Sequence, residues 1–172
     1  MENTNKCAAL FKLLCEDYNG SELGKKASQK LFYFFERYGI TLNLRYGIHY
    51  YGPYSARLDD AMDELECEGY IRIDTSKTTH VISAGMREIS EECLTESERK
   101  IAEDVLRQFG HKSPMELEAL TTMDYIANSM LSSRSEKQKI IAKFKEIKGT
   151  KFGDDVIEKS FGELSSLNLI SV

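Results

Sequence analysis

Ile48-His49-Tyr50-Tyr51-Gly52-Pro53-Tyr54-Ser55 is the stretch on which the reading of the fold turns. It crowds four polar-tipped rings around the chain's one Gly-Pro step and leads straight into a helical pattern. Proline fixes φ near the helical value, has no N–H for a helix start to leave unpaired, and pushes its predecessor out of the α region. Pro53 therefore reads as an early helical position, entered from an extended segment through Gly52. Tyrosine and histidine join an apolar body to a hydrogen-bonding tip, which suits a buried junction or a contact surface.

Upstream, residues Ile40 to Tyr51 alternate loosely through Leu42, Leu44, Tyr46, Ile48 and Tyr50, the period-two signal of a half-buried strand. Further back, apolar spacing predicts helices from about Thr4 to Tyr18 and from Lys25 to Tyr38, separated by Asn19-Gly20-Ser21. Gly39 stands where a left-handed helix cap belongs. Downstream, a helix from about Tyr54 to Glu68 buries Leu58, Ala61, Met62 and Leu65 before Gly69 closes it. Tyr70–Asp74 and Thr79–Ser83 are β-rich around a polar loop and read as a hairpin. Helix, strand, helix, hairpin is the grammar of a winged helix.

The second half is helical in pattern. Thr95-Glu96-Ser97-Glu98 is a capping-box sequence opening a helix that stops at Gly110. Ser113-Pro114-Met115-Glu116 is another, with proline at the first helical position. Helical spacing continues through Leu131, then from about Ser135 to Ile147 and from Asp155 to Leu169. The expected fold class is mainly α with a small β-hairpin. A winged-helix-like lobe is expected at 1–88 and a helical lobe packed on it at 93–172, with the acidic link Arg87 to Glu92 as the boundary; the alternative is one compact domain.

With 172 residues, 41% hydrophobic and 30% charged, the composition is that of a soluble globular protein. No apolar run approaches the roughly 20 residues of a membrane span. Met1 to Lys6 lacks the pattern of a signal peptide, so the cytoplasm is the expected location. Cys7, Cys15, Cys67 and Cys93 have no C-x-x-C spacing and are expected to be buried free thiols. His49, His80 and His111 have no metal-ligand spacing, and no nucleophile elbow, P-loop or dinucleotide fingerprint occurs. The reading is therefore of a non-enzyme without metal or cofactor.

Charge is uneven within a net of −5. The helix after Pro53 carries Asp59, Asp60, Asp63, Glu64, Glu66 and Glu68 against Arg57, which would be repelled by duplex phosphates. That row is either a solvated face or a docking surface for a basic partner. Basic residues gather at Lys25, Lys26, Lys30, Arg37 and Arg45, and again at Arg134, Lys137, Lys139, Lys143, Lys145, Lys148 and Lys151. Either basic group is a solvated surface or a contact for phosphate or an acidic partner.

The segment Gly24-Lys25-Lys26-Ala27-Ser28-Gln29-Lys30-Leu31-Phe32-Tyr33, followed by His49 to Ser55, resembles YwgA-like proteins and, more distantly, the Panacea domain of antitoxins. In that pattern a helix bearing two lysines and a tyrosine, here Lys26, Lys30 and Tyr33, precedes a Y-G-P step. The resemblance covers about residues 23 to 73, through Leu65-Glu66-Cys67-Glu68-Gly69-Tyr70-Ile71, and rests on Lys26, Gln29, Lys30, Tyr33, Tyr51, Gly52 and Pro53. It departs at one point: Panacea domains often carry a tryptophan near the Y-G-P step, and this chain has none. The resemblance implies a mainly helical protein with toxin-neutralising or adaptor relatives that act through protein contacts. The expected partner surface combines His49, Tyr50, Tyr51 and Tyr54 with Arg57, Asp59, Asp60 and Asp63. The alternative is a winged-helix DNA-binding regulator using Lys25, Lys26, Lys30, Arg45, Lys137 and Lys148.

Overall fold

The computed structural model describes residues 2–20, 22–131 and 136–170, and these are mainly helical with two small antiparallel strand pairs. In chain order the elements are α1 (Glu2–Asp17), α2 (Lys25–Arg37), β1 (Gly47–His49), β2 (Gly52–Tyr54), α3 (Ala56–Cys67), β3 (Ile71–Asp74) and β4 (Val81–Ala84). They continue with α4 (Glu96–Phe109), α5 (Pro114–Tyr125), α6 (Lys137–Lys148) and α7 (Asp154–Ser166). A 3₁₀ turn at Glu91–Cys93 precedes α4, and a π-helical turn at Ile126–Met130 extends α5. The helix expected from Ser135 begins at Lys137 among the described residues; Arg134 and Ser135 lie outside them. No helix among the described residues is long and apolar enough to cross a membrane.

Two units divide the chain. The first comprises Met1–Tyr46 and Ser55–Pro114, the second Gly47–Tyr54 and Met115–Val172. This line differs from the lobes at 1–88 and 93–172 read from the sequence. The reason is visible in α4, whose Phe109 stacks on Phe34 of α2 with ring centroids 3.9 Å apart, tying it to the first unit.

In the first unit, α2 is buried from Ala27 to Phe35 without a break, including Ser28, Gln29 and Lys30. A helix covered all round sits at the centre of a core rather than on its rim. Phe11 of α1 packs on Phe32 at 4.7 Å, and Tyr33 meets Tyr46 edge-on at 5.2 Å. At its C-terminus Gly39 takes the left-handed conformation at φ +114, as its position past the helix predicts. The capping box at Thr95 is formed in full.

The strand expected from Ile40 to Tyr51 is corrected. Ile40, Leu42 and Leu44 are buried and their neighbours exposed, so the alternation is real, but residues 40–46 pair with no strand. Instead the amides of Leu42 and Leu44 both donate to Glu36 Oε1, at 3.2 and 3.1 Å, while Asn43 and Arg45 adopt positive φ. A period of two follows from alternating conformations as readily as from a ladder. Ladder pairing is confined to β1, three residues long.

Pro53 is likewise not a helical position. It lies in β2 opposite Ile48, in the register Gly47↔Tyr54, Ile48↔Pro53, His49↔Gly52. A two-stranded ribbon has free edges on which a missing N–H costs nothing. The residue that opens α3 is Ser55: its Oγ accepts from the Leu58 amide at 3.1 Å and donates to the Leu44 carbonyl at 2.5 Å. The second hairpin pairs Ile71 with Ala84 and Asp74 with Val81, and Asp74 Oδ1 accepts from the Ser76 amide within the loop.

Of the cysteines only Cys7 is buried; Cys15 and Cys93 are half-buried and Cys67 is exposed at the end of α3. Burial, reinforced by Glu36 and Glu64, pushes the Cys7 thiol up to about 12, and burial with Glu16 raises Cys15 to about 11.

In the second unit, Leu117, Leu120, Met123 and Ile126 of the α5 run share the core with Ile140 and Phe144 of α6 and Ile157, Phe161 and Leu164 of α7. Phe144 also meets Phe152 at 5.6 Å. The β1–β2 hairpin is grouped by its contacts with these helices, although its sequence interrupts the first unit.

Candidate functional site

The hairpin turns over Tyr50 and Tyr51. Neither takes a positive φ; the left-handed step falls on Gly52 at φ +86. A side chain there would be strained and would bring a Cβ within 2.6 Å of Thr122 Oγ1 on α5. Glycine is thus required both by conformation and by close approach. Thr122 Oγ1 itself is buried and has no hydrogen-bond partner among the described residues.

Beneath the turn lies a buried charge cluster. Glu118 Oε1 accepts from Lys148 Nζ at 2.7 Å and from Lys151 Nζ at 2.7 Å, and Oε2 accepts from Lys151 at 2.8 Å. The side chains of Lys148 and Glu118 are 1% and 7% exposed, so the pair is out of reach of solvent. Lys148 donates a further bond of 2.8 Å to the Tyr50 carbonyl. Burial draws the Lys148 ammonium below its ordinary range and Lys151 adds to this, while the bonds and charge of Glu118 oppose it. The ammonium of Lys151 lies 5.5 Å from the Tyr50 ring centre and 4.9 Å from that of Tyr51. The two rings stand edge to face at 4.9 Å, 76% and 45% exposed. The result is a pair of solvent-facing aromatics on a turn seated by buried charge.

The rest of the aromatic set belongs to the same unit. The His49 imidazole, on the exposed strand edge, packs on half-buried Tyr54 at 4.8 Å. Arg57, Asp59, Asp60 and Asp63 belong to α3, in the first unit. Arg57 Nη1 donates to the Asn43 carbonyl at 2.8 Å, Asp59 accepts from Gln29 at 3.3 Å, and Asp63 pairs with Lys25 at 3.5 Å. Glu66 accepts from the Ile73 amide at 2.8 Å and Glu68 from Arg87 at 3.2 Å. Much of the acidic row therefore serves the first unit's own fold, and Asp60 is the exposed carboxylate with no hydrogen bond or ion pair among the described residues.

The basic set fares unevenly. Lys26 and Arg45 are exposed, but Lys30 is 3% exposed and Lys148 is sealed by Glu118, so neither head group lies on a surface that a phosphate could approach. Lys137 pairs with Glu158 at 2.6 Å and lies over the Phe161 ring. Among the described residues no three His, Cys, Asp or Glu side chains gather to hold a metal ion.

Sequence reasoning missed Glu118 and Thr122. The signal was present: Glu118 is a lone carboxylate inside the otherwise uncharged run Leu117 to Met123, all of it buried. A buried carboxylate demands partners, and Lys148 and Lys151, read as surface charge, are those partners.

The residues behind the resemblance are mostly interior. The Gln29 side-chain amide brackets the Ser55 backbone, donating to its carbonyl and accepting from its N–H, both at 2.9 Å. Tyr46 Oη donates to the Gln29 carbonyl at 3.1 Å. Gly52 and Pro53 are buried, and Tyr51 and Lys26 are the exposed members of the set. Comparison with curated proteins finds no match. The sequence model described as antitoxin SocA-like, Panacea domain, matches residues 29–125, which runs from Gln29 through the hairpin to the end of α5 and covers more than half of the chain. The chain therefore belongs to the antitoxin SocA-like, Panacea-domain family.

Proposed function

We propose that this protein is a non-enzymatic, antitoxin-like interaction module that captures a protein partner through the Tyr50–Tyr51 tip, with His49 and Tyr54 flanking it. The observation that carries this reading is the exposure of two adjacent large rings on a turn seated by buried charge. Aromatic rings on pre-ordered backbone are favoured interface anchors, since little entropy is lost when they are covered. Membership of an antitoxin-like family supports partner binding in general. Asp59, Asp60 and Asp63 on α3 are proposed as a second contact that steers a basic region of the partner, Asp60 being the freest of them.

The test is a pull-down from the native organism with nuclease-treated beads, followed by affinity measurement on the recovered partner. Joint replacement Tyr50→Ala and Tyr51→Ala is expected to weaken binding by about 100-fold, as loss of hot-spot aromatics does, with little change in melting temperature. Lysine at positions 59, 60 and 63 is expected to slow association and remove its salt dependence. If the partner arrests growth when expressed alone, co-expression of the unsubstituted protein should restore it and the tyrosine variant should not. Unchanged affinity in the tyrosine variant overturns the reading. The rival, a winged-helix DNA-binding regulator, loses Lys30 and Lys148 to burial, and absence of any duplex binding at low salt would remove it.

A further inference from the structure

Glu118, Lys148 and Lys151 put two ammonium groups on one carboxylate inside the second unit. Such a cluster is stable only where the remaining donor protons find acceptors. For Lys148 the second acceptor is the Tyr50 carbonyl, at 2.8 Å, so the hairpin backbone completes the cluster just as the cluster holds the hairpin. The dependence is mutual. Were the turn to lift away, Lys148 would keep a single acceptor in surroundings that already disfavour its charge.

Two further contacts fix the same turn. Lys151 bridges both Glu118 oxygens while facing both tyrosine rings, and Gly52 lies against Thr122 Oγ1 so closely that no Cβ fits. Lys148 and Glu118 are too buried to touch a partner themselves. We propose that Glu118 and Lys148 are positioning residues that set the pose of the Tyr50–Tyr51 tip and influence partner capture only through that pose. This rests on the reading of the tip as the partner contact.

The chain has no tryptophan, so Tyr50→Trp supplies a single fluorophore at the most exposed ring while leaving its backbone carbonyl in place. Acrylamide quenching and anisotropy of that tryptophan are then compared in the reporter protein alone and with Lys148→Met, Glu118→Gln or Lys137→Met added, helix content being followed by circular dichroism. Lys148→Met and Glu118→Gln are expected to raise the quenching constant at least twofold and to lower the anisotropy. Lys137→Met, on the same helix but outside the cluster, is expected to change neither. A folded Lys148→Met protein whose tryptophan is indistinguishable from the reporter overturns the proposal.

If both cluster variants fail to fold, hydrogen exchange on the unsubstituted protein decides. Bonded amides of residues 47–54 protected to the level of α6 support the proposal, and exchange 100-fold faster than α6 overturns it. The two readings separate cleanly. A tip loosened by Lys148→Met, together with partner affinity indifferent to Tyr50→Ala and Tyr51→Ala, supports the positioning role and sinks the contact reading. A tip left rigid by Lys148→Met, together with binding lost in the tyrosine variant, does the reverse.

Discussion

Gly52 carries two independent constraints. Its φ of +86 is one that a side chain occupies only under strain, and Thr122 Oγ1 stands 2.6 Å from where a Cβ would be. Gly52→Ala is expected to destabilise the protein by about 3 kcal/mol, combining backbone strain with overpacking, read as a lower urea midpoint at unchanged slope. The sequence reading placed this residue at the entry to a helix, whereas it lies in β2. Proline's φ fits a helix start and a ribbon edge equally, so Gly52-Pro53 could not declare which it served. What decides is the close approach of α5 to Gly52, which no local pattern encodes.

Elements were legible where their own side chains carry the periodicity. The helix read at Lys25–Tyr38 was legible because α2 has apolar residues at helical spacing and a glycine just past its end; it closes at Arg37, with Tyr38 as the C-cap. The strand read from Ile40 failed because Glu36 holds the amides of Leu42 and Leu44, a side-chain substitute for a ladder. The junction before α3 is held in a similar way. Ser55 caps the helix, bonds the Leu44 carbonyl and is itself bracketed by Gln29. Ser55→Ala removes the cap and leaves buried groups unpaired, for an expected loss of about 2 kcal/mol. Chemical denaturation measures it, and a change below about 0.5 kcal/mol, the scatter of ordinary surface substitutions, would mean the cap is redundant. The candidate site divides in the same manner: its exposed rings were readable from composition, whereas the carboxylate beneath them needed a tertiary partner to acquire meaning.

At the scale of the whole molecule, buried acids tie stability to alkaline pH. The Cys7 thiol rises from 9.0 to about 12 through burial, and burial also raises the Tyr46 hydroxyl well above 10. Unfolding returns both to their ordinary values, so above pH 9 the unfolded chain sheds protons that the folded one keeps. The stabilisation is complete below pH 9 and declines as pH climbs toward the folded-state value. The slope approaches about 1.4 kcal/mol per pH unit for each group while only its unfolded form is ionised. Melting temperature should therefore hold from pH 7 to 8.5 and fall steeply by pH 10.5, with Cys7→Ala blunting the fall. A flat profile to pH 10.5 would contradict the burial of both groups. Under native conditions a thiol reagent should modify exposed Cys67 first and Cys7 last.

The bond between the Tyr50 carbonyl and Lys148 spans 98 residues of sequence, and this gives it a role in time as well as in space. Three-residue strands do not hold together unaided in water, so the ribbon waits on the ribosome for its seat. At ordinary synthesis rates the wait lasts roughly 5 to 20 s. During it two tyrosines sit on slack chain, open to proteases and chaperones. On the positioning role proposed for Lys148, a nascent molecule acquires its aromatic tip only once α6 has emerged, and a transcript broken before Lys148 yields a polypeptide that never does.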